Sequence, residues 1–284
     1  MSHFHVPLLR LGAAALLALL QAGAQAETVP FPDGFNITPS KRLERLHYAE
    51  RTGELPNTVS RPTLEQVCRT QRELGGNARS PVFEAGYDQP ARTRTHVYFS
   101  PDGLRRAAYT ELTAYNCEAA EFKANGPCGC TYRPLVRHSV EISVWQAGRF
   151  QRWRADLEEG KGTLEEDSAA AQAKLAEPDD ATLTRLFGPV VGKASAAGFA
   201  CAQREQPAAR TPWRTCLALP DPKLPKLLWG RVMSSSAGEP DSPVRQSSEL
   251  TRLVLEADVD PAVFTPPTGI TYRSRRASNK EFQL

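Results

Sequence analysis

The chain has 284 residues, and its 35 Lys and Arg against 32 Asp and Glu leave a formal net charge of +3. That balance excludes the strongly basic footprint of a nucleic-acid or anionic-membrane binder, and the length suffices for one large domain or two small ones. The basic residues are scattered, apart from YRSRRASNK near the end, which reads as a solvated tail over 273–284.

The first stretch, MSHFHVPLLRLGAAALLALLQAGAQAET, carries Arg10, an apolar run from Leu11 to Leu20 and the small-x-small triplet Ala24-Gln25-Ala26. This is the layout of a secretory signal peptide, with an apolar run too short to span a bilayer with ease. Residues 1–26 are therefore predicted to be cleaved after Ala26, and the remainder to work in the periplasm or outside the cell. No later stretch reads as an integral membrane span. The six cysteines, Cys68, Cys117, Cys128, Cys130, Cys201 and Cys216, all follow this segment. An even number in an oxidising compartment predicts disulfides.

Residues 27–62, rich in proline and polar side chains, read as an extended N-terminal segment with a short helix in SKRLERLHYAERTG. PTLEQVCRTQRELGG reads as an amphipathic helix, with Thr63 and Gln66 at capping-box spacing, Gly75-Gly76 as a stop, and Leu64, Val67, Cys68 and Leu74 near one face. RTHVYFSPDGLRRAAYTEL is a hairpin turning at Ser-Pro-Asp-Gly. LVRHSVEISVWQAGRFQRWRADL is a second, with Val136, His138, Val140, Ile142 and Val144 on one face and Arg137, Ser139, Glu141 and Ser143 on the other. TLEEDSAAAQAKLAE predicts a helix ended by Pro178. AGFACAQREQPAARTPWRTCLAL predicts two paired arms, PKLLWGRVMSSS and ELTRLVLEADV two further strands, and DPAVFTPPTGITYR a short helical turn with a proline-rich exit. Consecutive hairpins with few helices predict an α+β fold on an antiparallel sheet.

Cys201 and Cys216 flank one hairpin and are expected to bond, closing a loop of about 15 residues. For Cys68, Cys117, Cys128 and Cys130 two more disulfides are expected, with Cys117 joined to one member of the Cys-Gly-Cys turn and Cys68 to the other; the pairing itself stays open. The spacing argues against a zinc site, and a redox centre at Cys128 and Cys130 lacks the helix N-terminus that stabilises a thiolate. There is no G-x-S-x-G, H-E-x-x-H, P-loop or G-x-G-x-x-G, and EEGKGT reads as a hairpin turn. His47, His96 and His138 fall on different elements, and the acidic run Glu158, Glu159, Glu165, Glu166 and Asp167 reads as a solvated loop and a first helical turn. No catalytic residue, metal or cofactor is assigned. The aromatic residues Trp145, Phe150 and Trp153 gather on one hairpin, with Trp213 and Trp229 later, and suit either core packing or an apolar groove.

GKASAAGFACAQRE, WRTCLALPDPKLPKLLWG and ELTRLVLEADVDPAVFTPPTGITY, with VYFSPDGLRR earlier, resemble a group of bacterial periplasmic proteins similar to the outer-membrane lipoprotein carrier (LolA-like) superfamily. The resemblance implies a domain over 63–272, a half-barrel with helices packed on the concave face of a strongly curved antiparallel sheet; the cysteine-rich insert at 117–130 departs from the pattern. The resemblance further implies an apolar cavity for an acyl chain. With it, Val97, Phe99, Trp145, Phe150, Trp153, Leu227 and Trp229 become the expected lining. The function expected is non-enzymatic binding of a lipid or other hydrophobic ligand. The alternatives are a thiol-disulfide protein acting through Cys128 and Cys130, and an envelope scaffold or interaction protein.

Overall fold

The computed structural model describes residues 27–56, 60–167, 179–206, 212–238 and 246–276. The expected signal peptide and most of the expected alanine-rich helix lie outside these residues. In chain order the elements are β1 (Glu44–Leu55), α1 (Arg61–Glu73), β2 (Val82–Phe83), β3 (Ala91–Phe99), β4 (Arg105–Asn116), α2 (Ala119–Asn125), β5 (Thr131–Gln146), β6 (Arg149–Asp156), β7 (Lys161–Asp167), α3 (Asp180–Phe187), β8 (Val190–Ala196), β9 (Phe199–Gln206), β10 (Trp213–Ala218), β11 (Val232–Ala237), β12 (Gln246–Val259) and β13 (Thr271–Arg276). Single 3-10 turns sit at Pro127–Gly129, Lys226–Leu228 and Pro261–Phe264.

The strands form one large curved sheet in the order β13-β7-β6-β5-β4-β3-β1-β12-β11-β10-β9-β8, open at both ends, with β2 beside β5 off this path. Neighbours pair antiparallel except β13 with β7 and β2 with β5. The fold is α+β and mostly β, as the run of hairpins predicts. Both quoted hairpins form, and their turns fall at Ser100–Leu104 and Ala147-Gly148. Ala147 and Gly148 both hold positive φ, at 51° and 73°, so the second turn suits a glycine.

Four expectations change. SKRLERLHYAERTG is not a helix: Glu44–Leu55 is a strand at the centre of the sheet, hydrogen-bonded to β12 on one side and β3 on the other. Pairing on both edges overrides the local helical spacing of Leu43 and Leu46, and the sheet domain therefore begins before residue 63. Thr163–Asp167 is likewise strand, not the first turn of a helix, because β7 is clasped between β6 and β13. In PKLLWGRVMSSS only Val232 onward is strand; Lys226–Leu228 is a 3-10 turn. The presumed proline-rich exit returns to the sheet as β13.

The helix over α1 is confirmed, one turn earlier at its start. Ser60 is the N-cap, accepting from the Thr63 amide at 3.4 Å, and a proline occupies the first turn. Leu64 and Cys68 are buried, while Val67 and Leu74 are exposed, so the apolar stripe is narrower than the sequence suggested. Helices α1 and α2 both pack against the turn at Pro127–Gly129, and α3 packs on β9 and β10. On that strand pair Arg204 reaches back to the Gly188 carbonyl and to Thr184 at 3.0 Å each, and also contacts Asp180.

Candidate functional site

All six cysteines are bonded: Cys68–Cys128, Cys117–Cys130 and Cys201–Cys216. The expected Cys201–Cys216 pair forms across β9 and β10, and the Cys-Gly-Cys turn is split between two partners. One bond ties α1 to the turn, and the other ties the end of β4 to the start of β5. Cys117 and Cys130 lie in a small cluster with Leu64, Tyr87 and Tyr132. Cys128 and Cys130 do not bond each other, so the turn holds no dithiol pair for the redox alternative. Among the described residues no group of three or more His, Cys, Asp or Glu is placed to hold a metal ion.

The strands β1, β3, β4 and β5 present one face at their even-numbered (β1, β3, β5) or odd-numbered (β4) positions, and that face is divided along the strand direction. Its first half is apolar: Leu46 and Tyr48, Tyr98, Ala107 and Tyr109, Val140 and Ile142 are buried together. The chain's own N-terminal segment covers them. Val29 and Phe35 are buried in the same cluster with Phe31 and Ile37 packed alongside, and Val263 and Phe264 close it from the C-terminal side. Tyr98 donates to the Pro30 carbonyl at 2.6 Å, and Tyr109 donates to that of Val263.

The second half of the same face is polar. Opposed residues form two rungs across six strands. One runs Glu111, Arg94, Thr52, Glu249, Ser234, Cys216, and the other Thr113, Arg92, Glu54, Ser247, Ser236, Arg214. Together they line an open trough of about 670 Å3. At the border between the halves stands a hydrogen-bonded group. The Tyr48 hydroxyl lies 2.8 Å from His96 Nδ1 and 3.2 Å from Glu50, and Arg94 Nε donates to Glu50 at 2.8 Å. Burial works to raise the Glu50 pKa, but the hydrogen bond and charge of Arg94 hold it below the ordinary value. Burial, and then the Arg94 charge, lower the pKa of His96. Nearby, His138 donates its backbone amide and offers Nδ1 to Glu158, each at 2.8 Å, and meets the Phe35 ring edge-on at 4.9 Å. Its ring is satisfied, as expected of a strand residue.

The opposite face carries the expected apolar residues. Thr95, Val97 and Phe99 of β3 stand opposite Thr110, Ala108 and Arg106 of β4, and opposite Arg51, Ala49 and His47 of β1. Val97, Phe99 and Ala49 are buried with Leu224, Met233 and Leu250, while Ala108, Leu227, Leu228 and Trp229 pack against them. Four of the seven expected lining residues therefore meet: Val97, Phe99, Leu227 and Trp229. The other three do not join them. Trp153 belongs to the first cluster, because it is three residues from Phe150 and so points to the other side of β6. Trp145 and Phe150 meet at a tilt, ring centroids 4.2 Å apart, across the end of the β5–β6 hairpin.

Beside the second cluster opens a concavity of about 1030 Å3, whose lining includes Thr95, Arg106, Ala108, Thr110, Glu141 and Arg154. Glu141 bridges Arg106 at 3.5 Å and Arg154 at 3.1 Å. Glu165, expected in an acidic helical turn, is instead buried against Arg152, with Arg152 Nε to Oε2 at 2.7 Å. The polar trough and the arginines of this face were not singled out from sequence. The signal is present in RTRTHVYF, whose alternate residues are Arg, Arg, His, Tyr on one side and Thr, Thr, Val, Phe on the other.

No family model and no curated protein matches the chain. Two solved structures are similar in part. "Structure of PNGF-II in P21 space group" aligns over 82% of this chain at 9% identity with a TM-score of 0.35. "Structure of PNGF-II in C2 space group" aligns over 84% at 11% identity with a TM-score of 0.32. This chain spans 32% of the length of each of those chains.

Proposed function

We propose that the chain is a non-enzymatic binding protein of the periplasm or cell exterior that takes a lipid or other amphiphile on the concave side of its sheet. The observation that carries this reading is the meeting of a roomy polar concavity with a buried apolar cluster. Ala108 lines the 1030 Å3 opening and also packs against the cluster of Val97, Phe99, Leu227 and Trp229. Burying an acyl chain there would gain about 0.8 kcal/mol per methylene without any polar recognition. Leu227, Leu228 and Trp229, which pack against this cluster, would cover the chain. The three disulfides suit the oxidising compartment this reading requires.

The test is solvent extraction and lipid mass spectrometry of protein purified natively, followed by displacement of a hydrophobic dye with fatty acids. A co-purified amphiphile with dye displacement supports the reading. An empty extract with no displacement refutes it.

One observation favours the interaction-protein alternative. Strand β8 ends the sheet, and Val190 and Val191 on it are 53% and 56% exposed. An edge strand with exposed valines is a template for pairing with another chain. Capture of a defined partner that is lost on Val191→Lys, with no amphiphile bound, would replace the first reading with this one.

A further inference from the structure

The polar trough crosses six strands, from Glu111 and Thr113 on β4 to Cys216 and Arg214 on β10. At about 4.8 Å per strand it is roughly 24 Å long, and its two rungs, two residues apart on each strand, lie about 7 Å from each other. Among the described residues no aromatic ring lines it, and the hydroxyls of Thr52, Thr113, Ser234, Ser236 and Ser247 on its rungs have no hydrogen-bond partner in the protein. Its charges are unevenly matched. Arg94 is held by Glu50 at 2.8 Å and Arg214 by Glu205 at 2.9 Å. Glu111 lies 3.9 Å from His138 Nε2. Glu54 and Glu249 have no cation in ion-pair range among the described residues, and Arg92, although it stands opposite Glu54, has no carboxylate in that range. Thr52 pairs with Glu249 and Glu54 with Ser247, which makes Glu54 and Glu249 diagonal neighbours about 7–8 Å apart. With both carboxylates free against the single guanidinium of Arg92, the trough keeps a surplus of negative charge.

We infer that the trough binds an extended peptide segment with basic side chains, its main-chain amides on the serine and threonine hydroxyls and its cations over Glu54 and Glu249. The site lies on the face away from Val97 and Phe99, so it is independent of the amphiphile reading. An extended chain rises about 3.3 Å per residue, and about seven residues fill the length of the trough. Side chains two positions apart on such a chain are about 7 Å apart on one side, which matches the spacing of the two carboxylates. Lysine or arginine at alternate positions thus sets one cation on each. Hydroxyls suit a peptide backbone because each can both donate to a carbonyl and accept from an amide. A neutral glycan would supply no cation and find no ring to stack on.

The experiment titrates the full chain, by calorimetry at low salt, with a seven-residue peptide of alternating lysine and serine blocked at both ends. Its glutamate-serine counterpart, maltoheptaose and spermidine are titrated beside it. The lysine peptide is expected to bind, to weaken with added salt, and to bind more tightly than spermidine, which carries the charge without the amides. Glu54→Gln and Glu249→Gln are each expected to weaken it about threefold and the double variant about tenfold, the scale of ion pairs at an open surface. Unchanged thermal midpoints confirm that the variants fold, and if Glu54→Gln does not fold, Glu249→Gln carries the test alone. Tighter binding of the glutamate peptide shows that the trough has the opposite preference and overturns the inference. So does maltoheptaose that binds where the lysine peptide does not, or spermidine that binds as tightly as the peptide, since the first makes the ligand a sugar and the second leaves the hydroxyls without a role. A lysine peptide that does not bind, or whose binding neither glutamine variant alters, overturns it as well.

Discussion

The Tyr48 hydroxyl and His96 Nδ1 lie 2.8 Å apart across the β1–β3 ladder, where the apolar half of one sheet face gives way to the polar trough. Burial keeps His96 below its ordinary value of 6.5, with Arg94 acting in the same direction. His47 on β1 is also lowered by burial, against a weaker pull from Glu256. Both therefore bind protons more weakly folded than unfolded. Their contribution to stability is complete above pH 6.5 and is lost as the pH falls toward their folded pKa values. The urea midpoint should drop between pH 7.5 and 5.5, and His96→Gln should make that drop smaller. A midpoint that holds or rises at pH 5.5 contradicts the argument.

Arg152 and Glu165 form the most enclosed ion pair among the described residues, with side chains 8% and 5% exposed. Arg152→Met leaves a buried carboxylate whose other ion-pair partner among the described residues is Arg154 at 3.8 Å, itself 45% exposed. A loss of about 3–5 kcal/mol is expected from denaturant unfolding. Arg152→Met combined with Glu165→Leu should recover most of it, since two packed apolar side chains need no counter-charge. A double variant no more stable than Arg152→Met alone would show that the pair acts through something other than charge burial.

The alternation of the hairpin arms, the Cys201–Cys216 pair and the inward-facing Cys68 were legible because each depends on local periodicity or short spacing. Val136 to Val144 on one face is a case in point: the parity of β5 holds along its whole length. Failures arose where a distant segment decides the outcome. Glu44–Leu55 becomes a strand because β3 pairs with it on one side and β12, some two hundred residues later, on the other. Trp153 and Phe150 looked like neighbours in sequence, yet strand parity sends them to opposite faces. The polar trough needs β1, β3, β4 and β10 to β12 at once, and no window of sequence contains them all.

The disulfides make a ranking that can be measured. Cys201 and Cys216 are 15 residues apart, and Cys68 and Cys128 are 60 apart. In the loop-entropy model the first bond is worth about 3 kcal/mol and the second about 4 kcal/mol. Cys68→Ala with Cys128→Ala should therefore lower stability more than Cys201→Ala with Cys216→Ala, and mapping of the unreduced wild-type chain should yield the three linked pairs with no free thiol. The reverse ranking would mean that native packing around Cys201 outweighs loop length.

Phe35 tests whether the N-terminal segment is part of the core or a loosely laid cover. It is 3% exposed, its ring meets Tyr109 edge-on at 5.2 Å and His138 at 4.9 Å, and it plugs the apolar half of the face that the sequence alone leaves open. If the segment folds with the sheet, Phe35→Ala creates a cavity against Tyr109 and costs about 3–5 kcal/mol in denaturant unfolding. The amides of residues 29–35 should then exchange with solvent as slowly as those of β1 in the wild type, and faster in the variant. If the segment opens independently, the variant loses less than about 1 kcal/mol globally, and exchange at 29–35 is already fast in the wild type. The two outcomes differ in chemistry as well as stability. A segment that opens would uncover Tyr48, Tyr98 and Tyr109 as a second apolar surface, on the face away from Val97 and Phe99.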